Sequence, residues 1–186
     1  MNSLVDGWLR DAIHALSPNV DERPDGSRVE LVVIHNISLP PGSYGGGHVH
    51  ALFTNRLDPG RHPFFVDIAD VRVSAHLLIE RDGRITQFAS FDRRAWHAGS
   101  SEFQGRSRCN DFSVGIELEG TDFEPFTDSQ YVALNAALAA LCAAYPVRWV
   151  CGHSDIAVQR KTDPGPFFEW DRVAVPAGVS TRPHLA

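Results

Sequence analysis

Two histidines, an aspartate and a lysine stand in this chain where glycine and proline shape the backbone, and that set can do hydrolytic chemistry. His35 ends the apolar run Leu31-Val32-Val33-Ile34, His153 follows Gly152, and Asp163 lies inside Lys161-Thr162-Asp163-Pro164-Gly165-Pro166. Imidazole and carboxylate are the usual donors of catalytic zinc, which takes three protein ligands and keeps a fourth position open. A histidine at a strand end is by itself most often structural. The combination carries the reading, because an aspartate locked beside two prolines and a glycine is badly placed for an ordinary surface ion pair and well placed for a rigid coordinating loop.

The stretch Val114-Gly115-Ile116-Glu117-Leu118-Glu119 alternates cleanly, which puts Val114, Ile116 and Leu118 on a core face and Glu117 and Glu119 together on the other. A carboxylate beside the metal would serve as the general base, taking a proton from the attacking water and handing it to the leaving amine. Alternation alone does not choose between Glu117 and Glu119. Lys161 could donate to the oxyanion of a tetrahedral intermediate, a contribution of roughly 3 kcal/mol per donor in other hydrolases. His48 and His50 are a rival ligand pair, but they follow three glycines and read as surface loop histidines. His76 sits in an apolar stretch and reads as a core histidine. Trp96-His97 sets an aromatic platform beside an imidazole, which suits a sugar ring, although a packed tryptophan is as common.

These residues must be positioned by mixed secondary structure. A buried central strand is expected over Glu30–Ile37, then a Pro- and Gly-punctuated loop over Leu39–Gly47, a short helical turn over Val49–Asn55 and a turn at Asp58-Pro59-Gly60. Val71–Glu80 and Ile85–Phe88 read as a hairpin about Asp82-Gly83. Thr127 and Gln130 form a capping box for a helix over Asp128–Ala144, whose Leu134, Leu138 and Leu141 make one apolar stripe. Pro146 stops it, Val147–Cys151 is a further strand, and a short helix is expected over Phe167–Val173. Without regular βαβ alternation the pattern implies an α+β fold, one domain with a central mixed β-sheet flanked by α-helices. Its expected parts are an N-terminal extension over 1–28 packed on the domain, the domain proper over 29–174, and a fraying tail over 175–186.

The whole chain narrows the partners. Its 186 residues suit a single domain, and 43% hydrophobic with 22% charged residues is a globular balance. A formal net charge of -6 disfavours partners bound through phosphates or anionic lipid, so neither nucleic acid nor membrane is expected. Three cysteines with no CxxC pair argue against a disulfide framework and for a reducing compartment. The N-terminal stretch carries Asp6, Arg10, Asp11 and His14 among its apolar residues, unlike a secretory signal, so a cytoplasmic location is expected.

Four segments carry a specific resemblance: Val33-Ile34-His35-Asn36-Ile37-Ser38-Leu39-Pro40-Pro41-Gly42, Arg94-Ala95-Trp96-His97-Ala98-Gly99, Cys109 through Gly120, and Lys161 through Pro166. Over about Val29 to Trp170 the chain resembles the AmpD family of 1,6-anhydro-N-acetylmuramyl-L-alanine amidases, zinc enzymes related to peptidoglycan recognition proteins and phage T7 lysozyme. The resemblance implies Zn2+ on His35, His153 and Asp163, with Glu117 and Lys161 as the catalytic pair and Glu119 set aside. It places Asn36, Arg72, Trp96, His97 and Arg108 near the bound sugar and peptide. The implied reaction is hydrolysis of the amide between anhydromuramic acid and L-alanine of the stem peptide, a cytoplasmic peptidoglycan-recycling step that in some bacteria influences β-lactamase induction. Anhydromuropeptides are thus the implied small-molecule partners, and the enzyme is expected to be a monomer. Val158 stands where the family often has proline, a loop preference rather than a ligand. Two other readings are a binding module that has lost catalysis, which would lack a zinc ligand, and an exported amidase of intact cell wall, which would need an export signal.

Overall fold

The structure is a computed structural model that describes residues 3–182. Its centre is a seven-stranded sheet built from β1 (Ile13–His14), β2 (Leu31–Ile37), β3 (Leu77–Ile79), β4 (Ile85–Gln87), β5 (Ser113–Glu119), β6 (Trp149–Gly152) and β7 (Ser180–Thr181). The spatial order is β7-β6-β2-β5-β3-β4-β1, and every neighbouring pair is parallel except the hairpin β3-β4, so the sheet is mixed as expected.

The first four residues of β2, Leu31 to Ile34, are all apolar because both faces of the strand are covered there. Val32 and Ile34 join Val114, Ile116 and Leu118 of β5 under the long helix α3 (Asp128–Ala144), whose Leu134, Leu138 and Leu141 are fully buried against them. The expected capping box is present: the Thr127 hydroxyl accepts from the Gln130 backbone N–H while the Gln130 side chain accepts from the Thr127 N–H. Leu31 and Val33 face the other way, onto Cys109, Phe112, Cys151 and Ile156. A third cluster lies beside them, where α1 (His48–Phe53) and α2 (Pro63–Val66) set Phe53 and Phe65 against Leu78 and Phe88.

Three expectations need correction. The strand expected over Val71–Glu80 is only Leu77–Ile79, since residues 71–76 instead wrap past Trp96 and Asn19 through irregular hydrogen bonds. His48 and His50 are not surface loop histidines: they open α1 and lie half-buried against Phe65 and Phe88. The tail expected to fray supplies β7, paired to the edge of β6, as far as Arg182. At the other end, residues 3–28 add β1 to the far edge of the sheet and pair Val20–Glu22 with Arg93–Ala95. Arg23 in this segment buries its guanidinium and donates to the carbonyls of Phe91, Asn110, Asp111 and Ser113. Among the described residues no helix is long and apolar enough to cross a membrane.

Candidate active site

Parallel register puts the chemistry at one level of the sheet. His35 of β2 stands directly opposite Glu117 of β5, and Gly152 of β6 stands opposite Ile34, so His153 emerges one step later beside His35. All three are buried at the ends of their strands. Asp163 returns to them because its loop is held from two sides. Ser154 donates its backbone N–H to the Asp163 carbonyl at 2.9 Å, and Asn36 donates through Nδ2 to the Pro164 carbonyl at 3.0 Å and to Asp122 Oδ1 at 2.7 Å. Gly152 is required for this approach, since a Cβ there would stand 2.7 Å from Pro164 Cδ.

The result is a triangle of three ligand atoms. His35 Nδ1, His153 Nδ1 and Asp163 Oδ2 are each 3.0 Å from the other two. His153 Nε2 faces the Ala98 carbonyl at 3.3 Å, and a carbonyl only accepts, so the proton of this ring sits on Nε2 and Nδ1 offers a lone pair. Zinc bonds of about 2.0–2.1 Å put tetrahedral ligand atoms roughly 3.3 Å apart, so the donors are of the right type and spacing for a zinc ion. These three side chains are the group of metal-type ligands found among the described residues.

The electrostatics match that assignment. Burial alone would raise the Asp163 carboxyl, but the contacts from His153 and His35 outweigh it and hold the group well below the usual carboxylate range. Burial pushes His35 down to about 4 despite its hydrogen bond to Asp163, so at neutral pH the ring is uncharged and able to ligate. Glu117 is raised well above its ordinary value, first by burial and then by the charge of Asp163, with Lys161 acting against both. Its Oε1 is 4.0 Å from His35 Nδ1 and its buried Oε2 has no hydrogen-bond partner, an acceptor left for something that enters the site.

This floor opens into a cleft of about 780 Å3 lined by Asn36, Trp96, His97, Glu117, Lys161 and the exposed Phe123 at its rim, among others. The volume is that of a pocket for a small ligand.

The sequence model of the N-acetylmuramoyl-L-alanine amidase family matches residues 25–166. The chain belongs to that family. It is 57% identical over 174 residues to the 1,6-anhydro-N-acetylmuramyl-L-alanine amidase AmpD of Escherichia coli (strain K12), covering 92% of this chain and 95% of the relative. A crystal structure of an AmpD selenomethionine derivative superposes with a TM-score of 0.90 at 56% identity, over 91% of this chain and 96% of that one. The amidase AmiD of Escherichia coli, solved with anhydro-N-acetylmuramic acid-L-Ala-D-γ-Glu-L-Lys as its substrate, superposes at 0.58 and 27% identity over 83% of this chain and 64% of that one.

In this amidase the residues singled out in the sequence do not all converge. His35, His153, Asp163, Glu117, Lys161, Asn36, Trp96 and His97 all line the cleft, with Lys161 exposed at its side. Glu119 shares its strand face with Glu117 but is committed elsewhere: its carboxylate accepts from the backbone N–H groups of Gly45 and Arg81. Arg72 and Arg108 are exposed and outside the lining, Arg72 donating to the Ala69 carbonyl and Arg108 pairing with Asp111. His97 is nine-tenths buried behind His35 rather than presented to the cleft as an open platform. Two residues that drew no notice in the sequence matter here. Asn110 accepts the backbone N–H groups of both His97 and Ala98, and Arg160 donates to the carbonyls of Ala98 and Ser100. An asparagine before an aspartate in a turn gives no sequence signal of such a contact.

Proposed function

We propose that this amidase is zinc-dependent and hydrolyses the amide joining the lactyl carboxyl of 1,6-anhydro-N-acetylmuramic acid to L-alanine of the stem peptide. The observation that carries this reading is the triangle of two imidazole nitrogens and a carboxylate oxygen beside a buried, unpartnered Glu117 oxygen at the floor of the cleft. Its substrate class rests on the similarity to AmpD, and on the anhydromuramyl peptide that the related AmiD carries.

His35, His153 and Asp163 would hold the ion, which when bound lowers the pKa of water from 15.7 to about 7 and polarises a carbonyl. Glu117 takes the proton of the attacking water and returns it to the leaving amide nitrogen; its raised affinity for protons suits both halves of that task. Lys161, exposed at the side of the cleft, donates to the oxyanion as the carbonyl carbon becomes tetrahedral. Asn36 holds the Asp163 loop against the loop of Asp122, and Trp96 lines the cleft with a half-buried ring that would pack on the sugar or peptide. Arg72 and Arg108 meet only those parts of a substrate that extend beyond the cleft. The enzyme would act as a monomer on soluble fragments in cytoplasmic recycling, and an influence on β-lactamase induction would depend on the host.

Mass spectrometry of products from a purified anhydromuropeptide and from intact cell-wall sacculi, each with and without a chelator, tests the proposal. Free stem peptide from the soluble fragment, lost on chelation and restored by zinc, is the expected result. Cleavage that ignores the chelator, or an untouched fragment, would contradict it.

A further inference from the structure

We propose that His97 is a positioning residue that fixes the ring orientation and tautomer of His35, accepting the His35 Nε2–H at its Nδ1 and passing its own Nε2–H to Ser113 Oγ. The inference rests on the metal-site reading above and extends it to a residue that stands behind a ligand.

The contacts form a line leading away from the ligand triangle. His35 presents Nδ1 to His153 and Asp163, and its Nε2 lies 3.0 Å from His97 Nδ1. His97 Nε2 lies in turn 3.2 Å from Ser113 Oγ. A neutral imidazole carries one proton, so only two orderings of this line exist. In one, every proton points outward and His35 Nδ1 keeps its lone pair for a cation. In the other, His97 donates to His35, and the His35 proton lies on Nδ1 inside the triangle, where it blocks coordination. A hydroxyl works as donor or acceptor, so Ser113 accommodates the first ordering without strain.

The fold builds a seat for this histidine. The His97 ring lies so close to β5 that a Cβ on Gly115 would stand 2.3 Å from its Cγ and 2.6 Å from its Nδ1. A glycine in the middle of a fully buried central strand is otherwise unfavourable against alanine. The ring meets His35 edge to face at 84°, with centroids 5.1 Å apart. Its backbone is pinned as well, because Asn110 Oδ1 takes the N–H groups of His97 at 3.2 Å and Ala98 at 2.8 Å. One dipeptide therefore backs both imidazole ligands: the His97 side chain behind His35, and the Ala98 carbonyl behind His153. Outer partners of this kind set ligand tautomer and basicity, and removing one typically weakens metal binding about 10–100-fold.

The test measures zinc affinity by competition with a chromogenic chelator at neutral pH for the full chain and for Asp163→Ala, His97→Phe and His97→Gln, with circular dichroism to check folding. A parallel two-bond 1H–15N correlation spectrum reads the histidine tautomers of the unaltered zinc-loaded protein. Loss of stoichiometric zinc in Asp163→Ala establishes the site independently of His97, and failure of the unaltered chain to bind one zinc would sink the site reading itself. With the site established, His97→Phe is expected to bind zinc about 10–100-fold more weakly. His97→Gln, whose amide oxygen can still accept from Nε2, is expected to recover most of that loss. In the spectrum, His35 should carry its proton on Nε2 and His97 on Nε2. A folded His97→Phe with undiminished zinc affinity, or a His97 protonated on Nδ1, overturns the proposal; should that variant not fold, the spectrum decides.

Discussion

His76 should make this protein lose stability in mild acid. The side chain is fully buried and doubly committed: Nδ1 accepts the Gly115 N–H at 3.0 Å, and Nε2 donates to the Arg93 carbonyl at 3.0 Å. The Arg23 guanidinium lies 3.3 Å from Nε2, and the His97 ring centroid is 5.8 Å away. Burial first and the Arg23 charge second push the imidazole down to about 3, with the Arg93 carbonyl only partly opposing them. A second ring proton would have to sit between Nδ1 and an N–H that already points at it. The folded value lies below the unfolded value of 6.5, so the unfolded chain binds the proton more readily. Stability is therefore complete above pH 6.5 and falls as the pH drops toward 3. Between pH 7 and pH 5 the linkage amounts to about 2 kcal/mol, or a Tm decrease of roughly 4–8 °C for a chain of this size. Urea unfolding of the metal-free protein and of His76→Asn at both pH values isolates the effect, because the titrations of His35 and His97 are common to both proteins. The asparagine variant starts less stable but should lose about 2 kcal/mol less on acidification. Equal pH dependence in the two proteins would refute this reasoning.

Glu117→Gln should keep its zinc and lower kcat by about 10²–10⁴-fold, because it removes the proton carrier and leaves the ligands in place; metal analysis beside steady-state kinetics checks both halves. Lys161→Met, at an exposed position, should leave Tm and zinc content unchanged and lower kcat by about 10²–10³-fold. Arg23→Met should cost about 3–5 kcal/mol, read as a Tm decrease in calorimetry, since it strands the carbonyls of Phe91, Asn110, Asp111 and Ser113 without their donor.

What could be read from the sequence follows the range of the physics involved. The β5 alternation and the α3 capping box are local, and both stand in the structure with Leu134, Leu138 and Leu141 buried on the β5 core face. The same alternation could not separate Glu117 from Glu119, because both lie on one face. Their fates diverge only through a loop distant in sequence, where Gly45 closes over Glu119. Parallel register is non-local too: no periodicity reveals that His35 stands opposite Glu117. Val71–Glu80 has the composition of one strand but forms only Leu77–Ile79, because the strand-forming residues before it serve an irregular wrap around Asn19 and Trp96. His97 reads as a sugar contact from its tryptophan neighbour, yet the Gly115 that seats its ring lies on β5, distant in sequence. The family resemblance points to Arg72 and Arg108, and both lie off the cleft, whereas no sequence pattern marks the half-buried Arg23.

The ligand triangle itself is tested most directly by anomalous diffraction at the zinc edge from crystals of the zinc-loaded protein. A single strong peak is expected, bonded at about 2.0–2.2 Å to His35 Nδ1, His153 Nδ1 and an Asp163 carboxylate oxygen. A peak held by other side chains, or a zinc-saturated crystal with these three donors left uncoordinated, would contradict the account.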